Sequence, residues 1–205
     1  MKLYYTPGAC SLSPHIVALE AGLPLNLVRV QTAPDGKKTA GPEDFLMINP
    51  KGYVPALQLD GGEVLTEGPA IVQYLADQKP GSDLMPPAGS LARYRVLEWL
   101  GFINSEIHKS FTPLFNPTAS DQEKQAAKAN LDRRFKYIEG KLAGAQHLTG
   151  AAFTVADAYL FVVLGWTRFV KIDLSSFDNI TAYMGRIAAR PKVQEAMRAE
   201  GLIKG

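Results

Sequence analysis

Cys10, the only cysteine in the chain, lies in Pro7-Gly8-Ala9-Cys10-Ser11-Leu12-Ser13, after a short apolar run and just ahead of a helix-start signal. A thiol near a helix N-terminus feels the positive end of the dipole, which favours the reactive thiolate. The same residue also suits burial as a small hydrophobe. Cys10-Ser11-Leu12-Ser13 has CxxC spacing with a hydroxyl in place of the second sulfur. With no resolving cysteine, an external thiol would have to complete any disulfide cycle. His15, His108 and His147 have no metal-ligand spacing with one another or with Cys10, so no metal site is expected. His108, in Glu106-Ile107-His108-Lys109, reads either as an ordinary helix histidine or as an acid–base group facing a cleft. Glu67-Gly68 opens a helix, where backbone N–H groups suit a carboxylate ligand and the Glu67 side chain suits an ammonium group. It reads equally as an ordinary acidic first turn. The chain has no Gly-x-Ser-x-Gly elbow, P-loop or dinucleotide fingerprint.

The elements that must position these residues fall into two halves. Leu3-Tyr4-Tyr5 reads as a buried strand stopped by Pro7-Gly8. Ser13 and Pro14 read as the N-cap and first position of a helix ending at Gly22. Leu25 to Val30 alternates as a strand, and a polar segment runs from Thr32 to Pro42. Phe45 to Ile48 is a helical turn stopped by Asn49-Pro50. Runs at Val54–Leu59 and Glu63–Thr66 flank Asp60-Gly61-Gly62 as a hairpin. A helix with Ile71, Val72, Tyr74 and Leu75 on its apolar face follows Glu67-Gly68-Pro69. Strand–helix–strand implies a parallel pair with a right-handed crossover, and the hairpin adds an antiparallel edge. For Val54-Pro55 the residues alone favour a trans bond.

Residues 1–80 therefore form one α/β domain. The Pro-, Gly- and Ser-rich stretch 81–90 is the expected linker, and 91–205 an all-helical domain. In the second half, Leu91–Phe115 is helical and is interrupted or ended near Pro113. Asp121–Leu142 is an amphipathic helix capped by Ser120 or Asp121. Thr154–Asp157 caps an apolar helix running from Ala158 to Phe169, and Arg190-Pro191 divides two final helices.

Twenty-two basic and 20 acidic residues give a net charge of +2, which does not suggest nucleic acid as a partner. One cysteine excludes an internal disulfide framework. No run approaches the apolar length of a membrane span, and Pro7-Gly8 interrupts any signal-peptide core. A cytoplasmic protein with no membrane partner is expected.

In order and spacing, the segments from Met1-Lys2-Leu3 to Leu12, Asn49 to Leu57, Leu65 to Ile71, His108 to Phe115, Val155 to Phe161 and Ala199 to Leu202 resemble bacterial glutathione transferases of the beta class. The likeness spans nearly the whole chain. It implies a thioredoxin-like N-terminal domain, an all-helical C-terminal glutathione transferase domain and a homodimer. It also implies a cis Val54-Pro55 bond, against the residue-level default.

By resemblance, Cys10 lies beside the sulfur of glutathione, and Val54 and Pro55 pair with its cysteinyl unit. Glu67 and Gly68 take the γ-glutamyl end, and Lys37 or Lys38 the glycyl carboxylate. Ser105, Glu106 and His108 line the site, some of them reaching from a partner subunit. Tyr5 and Ser11 are alternatives to Cys10 and are ranked below it. Gly101 stands where some relatives carry Asn, so one polar contact is lost.

The expected reaction is conjugation of glutathione, a co-substrate, to a small hydrophobic electrophile in detoxification or catabolism, with no prosthetic group. Cys10 and His108 are the catalytic candidates. An apolar pocket between the domains is expected from Leu12, Phe111, Phe115 and Trp166. Thiol–disulfide exchange through Cys10 and non-catalytic ligand binding are the rival readings.

Overall fold

The computed structural model describes residues 1–33, 36–41 and 43–204. Five strands make one sheet in the order β3-β2-β1-β4-β5: β1 (Lys2–Tyr5), β2 (Asn26–Ala33), β3 (Gly36–Thr39), β4 (Ala56–Gln58) and β5 (Val64–Thr66). Helix α1 (Leu12–Glu20) connects β1 to β2, which pair in parallel with Leu3 opposite Leu27. β4 runs antiparallel to both β1 and β5. This parallel crossover followed by a hairpin is the thioredoxin-like arrangement implied by resemblance.

Successive strand side chains point to opposite faces. Leu3 and Tyr4 are both buried, so both faces of β1 are covered. Tyr4 meets Phe45 of α2 (Phe45–Ile48) at a ring-centroid distance of 5.8 Å, in a cluster with Val30 and Ala56. Helices α1 and α3 (Gly68–Asp77) pack on each other through buried residues such as Ile16, Val17, Ile71 and Leu75.

Two readings of this half change. β3 lies in the segment read as polar, paired antiparallel with β2. Its Gly36-Lys37-Lys38-Thr39 sequence lacks the apolar alternation of a half-buried strand, because it is an edge strand held by its ladder. Pro34, Asp35 and Pro42 of that segment lie outside the described residues. Helix α1 starts at Leu12 with Ser11 at its cap, two residues before the expected position. Pro14 fits within the first turn because the N–H groups there have no intrahelical acceptor.

The second half is helical: α4 (Leu91–Phe102), α5 (Thr112–Phe115), α6 (Asp121–Leu142), α7 (Val155–Gly165) and α8 (Asp178–Ala188), followed by α9 (Pro191–Ala199). Between α4 and α5 the chain passes through a π-helical segment, Ile103–His108, and a 3₁₀ turn, Lys109–Phe111. Pro113 sits in the first turn of α5 rather than ending a helix. Ser120 and Glu123 form a capping box at α6. Residues Val155–Leu164 of α7 are buried on every side, the pattern of a central helix. Asp157 is fully buried. Its carboxylate accepts from the Thr154 N–H and hydroxyl, the Leu148 N–H and the Tyr183 hydroxyl.

The chain divides into two compact units, Met1–Leu84 with Arg190–Gly205, and Met85–Ala189. This differs from the expected grouping of 91–205, because α9 packs against α1. Buried Val193, Ala196 and Met197 line α9, and Arg190 forms a two-pronged ion pair with Glu20 at 2.7 and 2.9 Å.

Candidate active site

In the first unit, Cys10 sits in the turn between β1 and α1, one residue ahead of the Ser11 cap. Local bonds fix that turn. The Ser11 hydroxyl accepts from the Thr6 N–H and donates to the Thr6 carbonyl, both at 3.2 Å, and the Thr6 hydroxyl donates to the Val30 carbonyl of β2. Ser11 is wholly buried in this role. Gly8, with φ of 72°, adopts the left-handed conformation and donates its N–H to Glu200 Oε2 at 2.9 Å. Glu200 Oε1 lies 3.0 Å from His15 Nδ1, and both side chains are almost fully buried.

The Cys10 thiol donates to the Val54 carbonyl at 3.3 Å, and the Val54-Pro55 bond is cis. The loop before it is braced from within. Buried Asn49 donates to the Tyr53 carbonyl at 2.7 Å and accepts from the Lys51 N–H. Lys37 donates to the Gly52 carbonyl at 2.6 Å and stands 5.5 Å over the Tyr53 ring.

Glu67 caps α3 with φ of 70°, an uncommon left-handed conformation for a side-chain-bearing residue. Such outliers concentrate where a ligand or switch needs them. Its carboxylate meets Lys51 Nζ at 2.8 Å, and Lys51 also reaches the Thr66 hydroxyl. Both partners are more than half exposed, so the pair is worth little in stability. Gly68 is the first residue of α3, at its positive end.

In the second unit the π-helical turn carries Ser105, Glu106 and His108. A single-turn π widening rotates successive side chains away from α-helical phase and is frequent at functional sites. Ser105 donates to the Gly101 carbonyl at 3.0 Å. Glu106 is held by Arg134 in a short charge-assisted hydrogen bond. His108 Nδ1 lies 2.6 Å from the Tyr159 hydroxyl, which donates to Asn104 Oδ1 at 3.0 Å. The Trp166 ring packs edge-on to the imidazole, with centroids 4.7 Å apart. Burial, with Lys109 adding repulsion, lowers the His108 pKa from 6.5 to about 4, so the ring is neutral at physiological pH.

Phe111, Phe115 and Trp166 touch one another at 5.5 to 6.1 Å. Phe115 is half exposed, whereas Phe111 and Trp166 are buried beneath it. Leu12 is buried in the first unit. Five residues around the candidates are not among the expected site residues: Lys51 on Glu67, Arg134 on Glu106, Tyr159 and Asn104 by His108, and Glu200 on the Cys10 turn. The signal that could have found Tyr159 is its hydroxyl inside an apolar helix, which must find a partner when buried. Among the described residues, no three His, Cys, Asp or Glu side chains form a group that could hold a metal ion.

Comparison with known proteins matches residues 8–78 to the family model "Glutathione S-transferase, N-terminal domain" and residues 102–191 to "Glutathione S-transferase, C-terminal domain". Glutathione S-transferase GstA of Escherichia coli O157:H7 is 46% identical over 202 residues, covering 98% of this chain and all of the relative. The structure of a sphingomonad glutathione S-transferase complexed with glutathione superposes with a TM-score of 0.93 at 50% identity, over 99% of this chain and 100% of the other. The beta-class enzyme of Sphingomonas chungbukensis gives 0.94 at 49% identity, with the same coverage. With both domain models matched in order and full-length relatives at this identity, the chain belongs to the glutathione S-transferase family, on its bacterial beta-class branch.

Proposed function

We propose that the protein binds reduced glutathione and transfers its sulfur to a small hydrophobic electrophile. The observation that carries this reading is the placement of Cys10 at the head of α1 with its thiol on the Val54 carbonyl. There a second sulfur would meet the helix's positive end and a strand-like stretch of backbone. The cysteinyl unit of glutathione pairs with the Val54 backbone beside Pro55, in the manner of an added strand. Its ammonium group takes the place of Lys51 on Glu67, and its γ-glutamyl carboxylate sits at Gly68. Lys37 exchanges the Gly52 carbonyl for the glycyl carboxylate. Lys38 lies beside it on β3 as the alternative.

An unperturbed thiol titrates near ~8.5, so most free glutathione is protonated at neutral pH. Each unit by which the site lowers this value stabilises the bound thiolate by about 1.4 kcal/mol. On binding, the Cys10 S–H exchanges the Val54 carbonyl for that thiolate, and His108 serves as the base, with Ser105 and Glu106 as further polar contacts. Phe115 and Trp166 receive the apolar electrophile, backed by Phe111. Exposed Leu91, Tyr94 and Tyr137 on α4 and α6 support a homodimer through the second unit. A detoxifying role in the cytoplasm fits this chemistry.

Thiolate absorbance of bound glutathione, titrated against pH, tests the proposal. A midpoint at least one unit below that of free glutathione is expected, and an unshifted midpoint contradicts the reading.

A further inference from the structure

The hydrogen bonds around His108 fix more than its position. A Tyr hydroxyl has one proton to give and lone pairs to accept with. Tyr159 gives that proton to Asn104 Oδ1, at 3.0 Å. Its 2.6 Å contact with His108 Nδ1 therefore requires the imidazole to be the donor, through Nδ1–H. A neutral imidazole has only one N–H, so its Nε2 carries a lone pair and no hydrogen. Edge-on packing by Trp166 holds the ring plane from a second side.

We propose that Tyr159, itself anchored by Asn104, is a positioning residue that locks neutral His108 in the Nδ1–H tautomer, so that Nε2 acts as a proton acceptor. This rests on the reading of His108 as the base for glutathione. It decides between two roles open to a histidine beside a thiol. A neutral ring in this tautomer has no hydrogen to donate to a bound thiolate from Nε2, but it can take the thiol's proton there.

The step balances within the named groups. The S–H bond breaks and Nε2–H forms, the sulfur keeps the electron pair, and the ring becomes an imidazolium. Nδ1–H continues to donate to Tyr159, and Nε2 carries the transferred proton. The imidazolium is disfavoured in the unliganded protein, so the adjacent thiolate charge is what holds the proton there. Once sulfur adds to the electrophile, that charge is consumed and the proton leaves to solvent. The device thus favours charge separation only while a thiolate is present.

The test combines nitrogen-15 spectra of the imidazole with kinetics, in the wild type and in Tyr159→Phe. The His108 signals are assigned by their loss in His108→Ala. In the wild type above pH 6, Nδ1 is expected to be pyrrole-like and Nε2 pyridine-like. Tyr159→Phe keeps the buried ring and removes only the hydroxyl. It should redistribute the proton toward Nε2 and lower kcat for conjugation roughly 10-fold or more, with the KM for glutathione little changed. A merely structural hydroxyl would move the melting temperature and leave the tautomer alone. A wild-type ring protonated at Nε2 overturns the inference. So does a Tyr159→Phe enzyme whose tautomer or kcat matches the wild type. The underlying reading fails differently: His108→Ala would then conjugate as fast as the wild type, whatever the spectra of His108 show.

Discussion

His108 illustrates how one environment can set both charge and direction. Burial lowers its pKa to about 4, while in an unfolded chain it titrates near 6.5. Between those values the unfolded state binds more protons than the native state, so stability rises with pH through this window. The penalty is absent above about pH 7 and complete below about pH 4. At about 1.4 kcal/mol per unit it reaches roughly 3 kcal/mol. His108→Gln should remove this slope, so between pH 7.5 and pH 4 the wild-type melting temperature should fall relative to that of the variant. Parallel curves would show that His108 is not held neutral by the fold.

At the same scale, Cys10 and Ser11 separate cleanly. The Ser11 hydroxyl is committed to both backbone groups of Thr6, which leaves Cys10 as the side chain of the turn with chemistry to offer.

Among the elements, two ties join distant parts of the chain through buried carboxylates. Glu200, just after α9, holds Gly8 in the Cys10 turn and His15 on α1. Removing one partner from buried polar contacts leaves the others unpaired. Glu200→Ala should therefore lower stability by roughly 2–4 kcal/mol and weaken glutathione binding, as the turn loses its anchor. Glu200→Gln, which can still accept from Gly8, should lose less of both. Unchanged chemical denaturation in Glu200→Ala would refute the tie.

Asp157 gathers four donors from Thr154, Leu148 and Tyr183 at the head of α7. Burial and the Asp157 charge raise the Tyr183 pKa well above its ordinary value, so the phenol stays a donor. Asp157→Ala should cost roughly 2–5 kcal/mol, with little change in the glutathione affinity of the protein that remains folded. A large loss of affinity at an unchanged melting temperature would contradict this structural role.

Across the whole molecule, elements that carry their own periodicity or caps were legible in the sequence. These include the hairpin at Asp60-Gly61-Gly62, α6 with its Ser120 cap, and buried α7. β3 was not legible, because an edge strand held by its ladder leaves no apolar signature in Gly36-Lys37-Lys38-Thr39. The fold of α9 onto α1 was also hidden, since Glu200 and Gly8 are 192 residues apart and no local rule pairs them. The candidate site followed the same division. Cys10, Glu67 and His108 stood out by type and position, whereas Lys51, Arg134, Tyr159 and Asn104 emerged only from three-dimensional contact. Residues that touch a substrate have chemistries that can be read singly. Those that aim them are ordinary polar residues, distinguished only by where the fold places them. The cis state of Val54-Pro55 came from resemblance, against the residue-level expectation.

The measurement that bears most directly on the proposed activity is the initial rate of glutathione addition to a reactive chloronitrobenzene, for the wild type and Cys10→Ala in parallel. Turnover well above the uncatalysed rate is predicted for the wild type, with a reduced but measurable rate in Cys10→Ala, because Cys10 tunes the bound thiolate without being consumed. A wild-type rate equal to the uncatalysed one, alongside Cys10-dependent reduction of a glutathione mixed disulfide, would contradict conjugation and favour disulfide exchange.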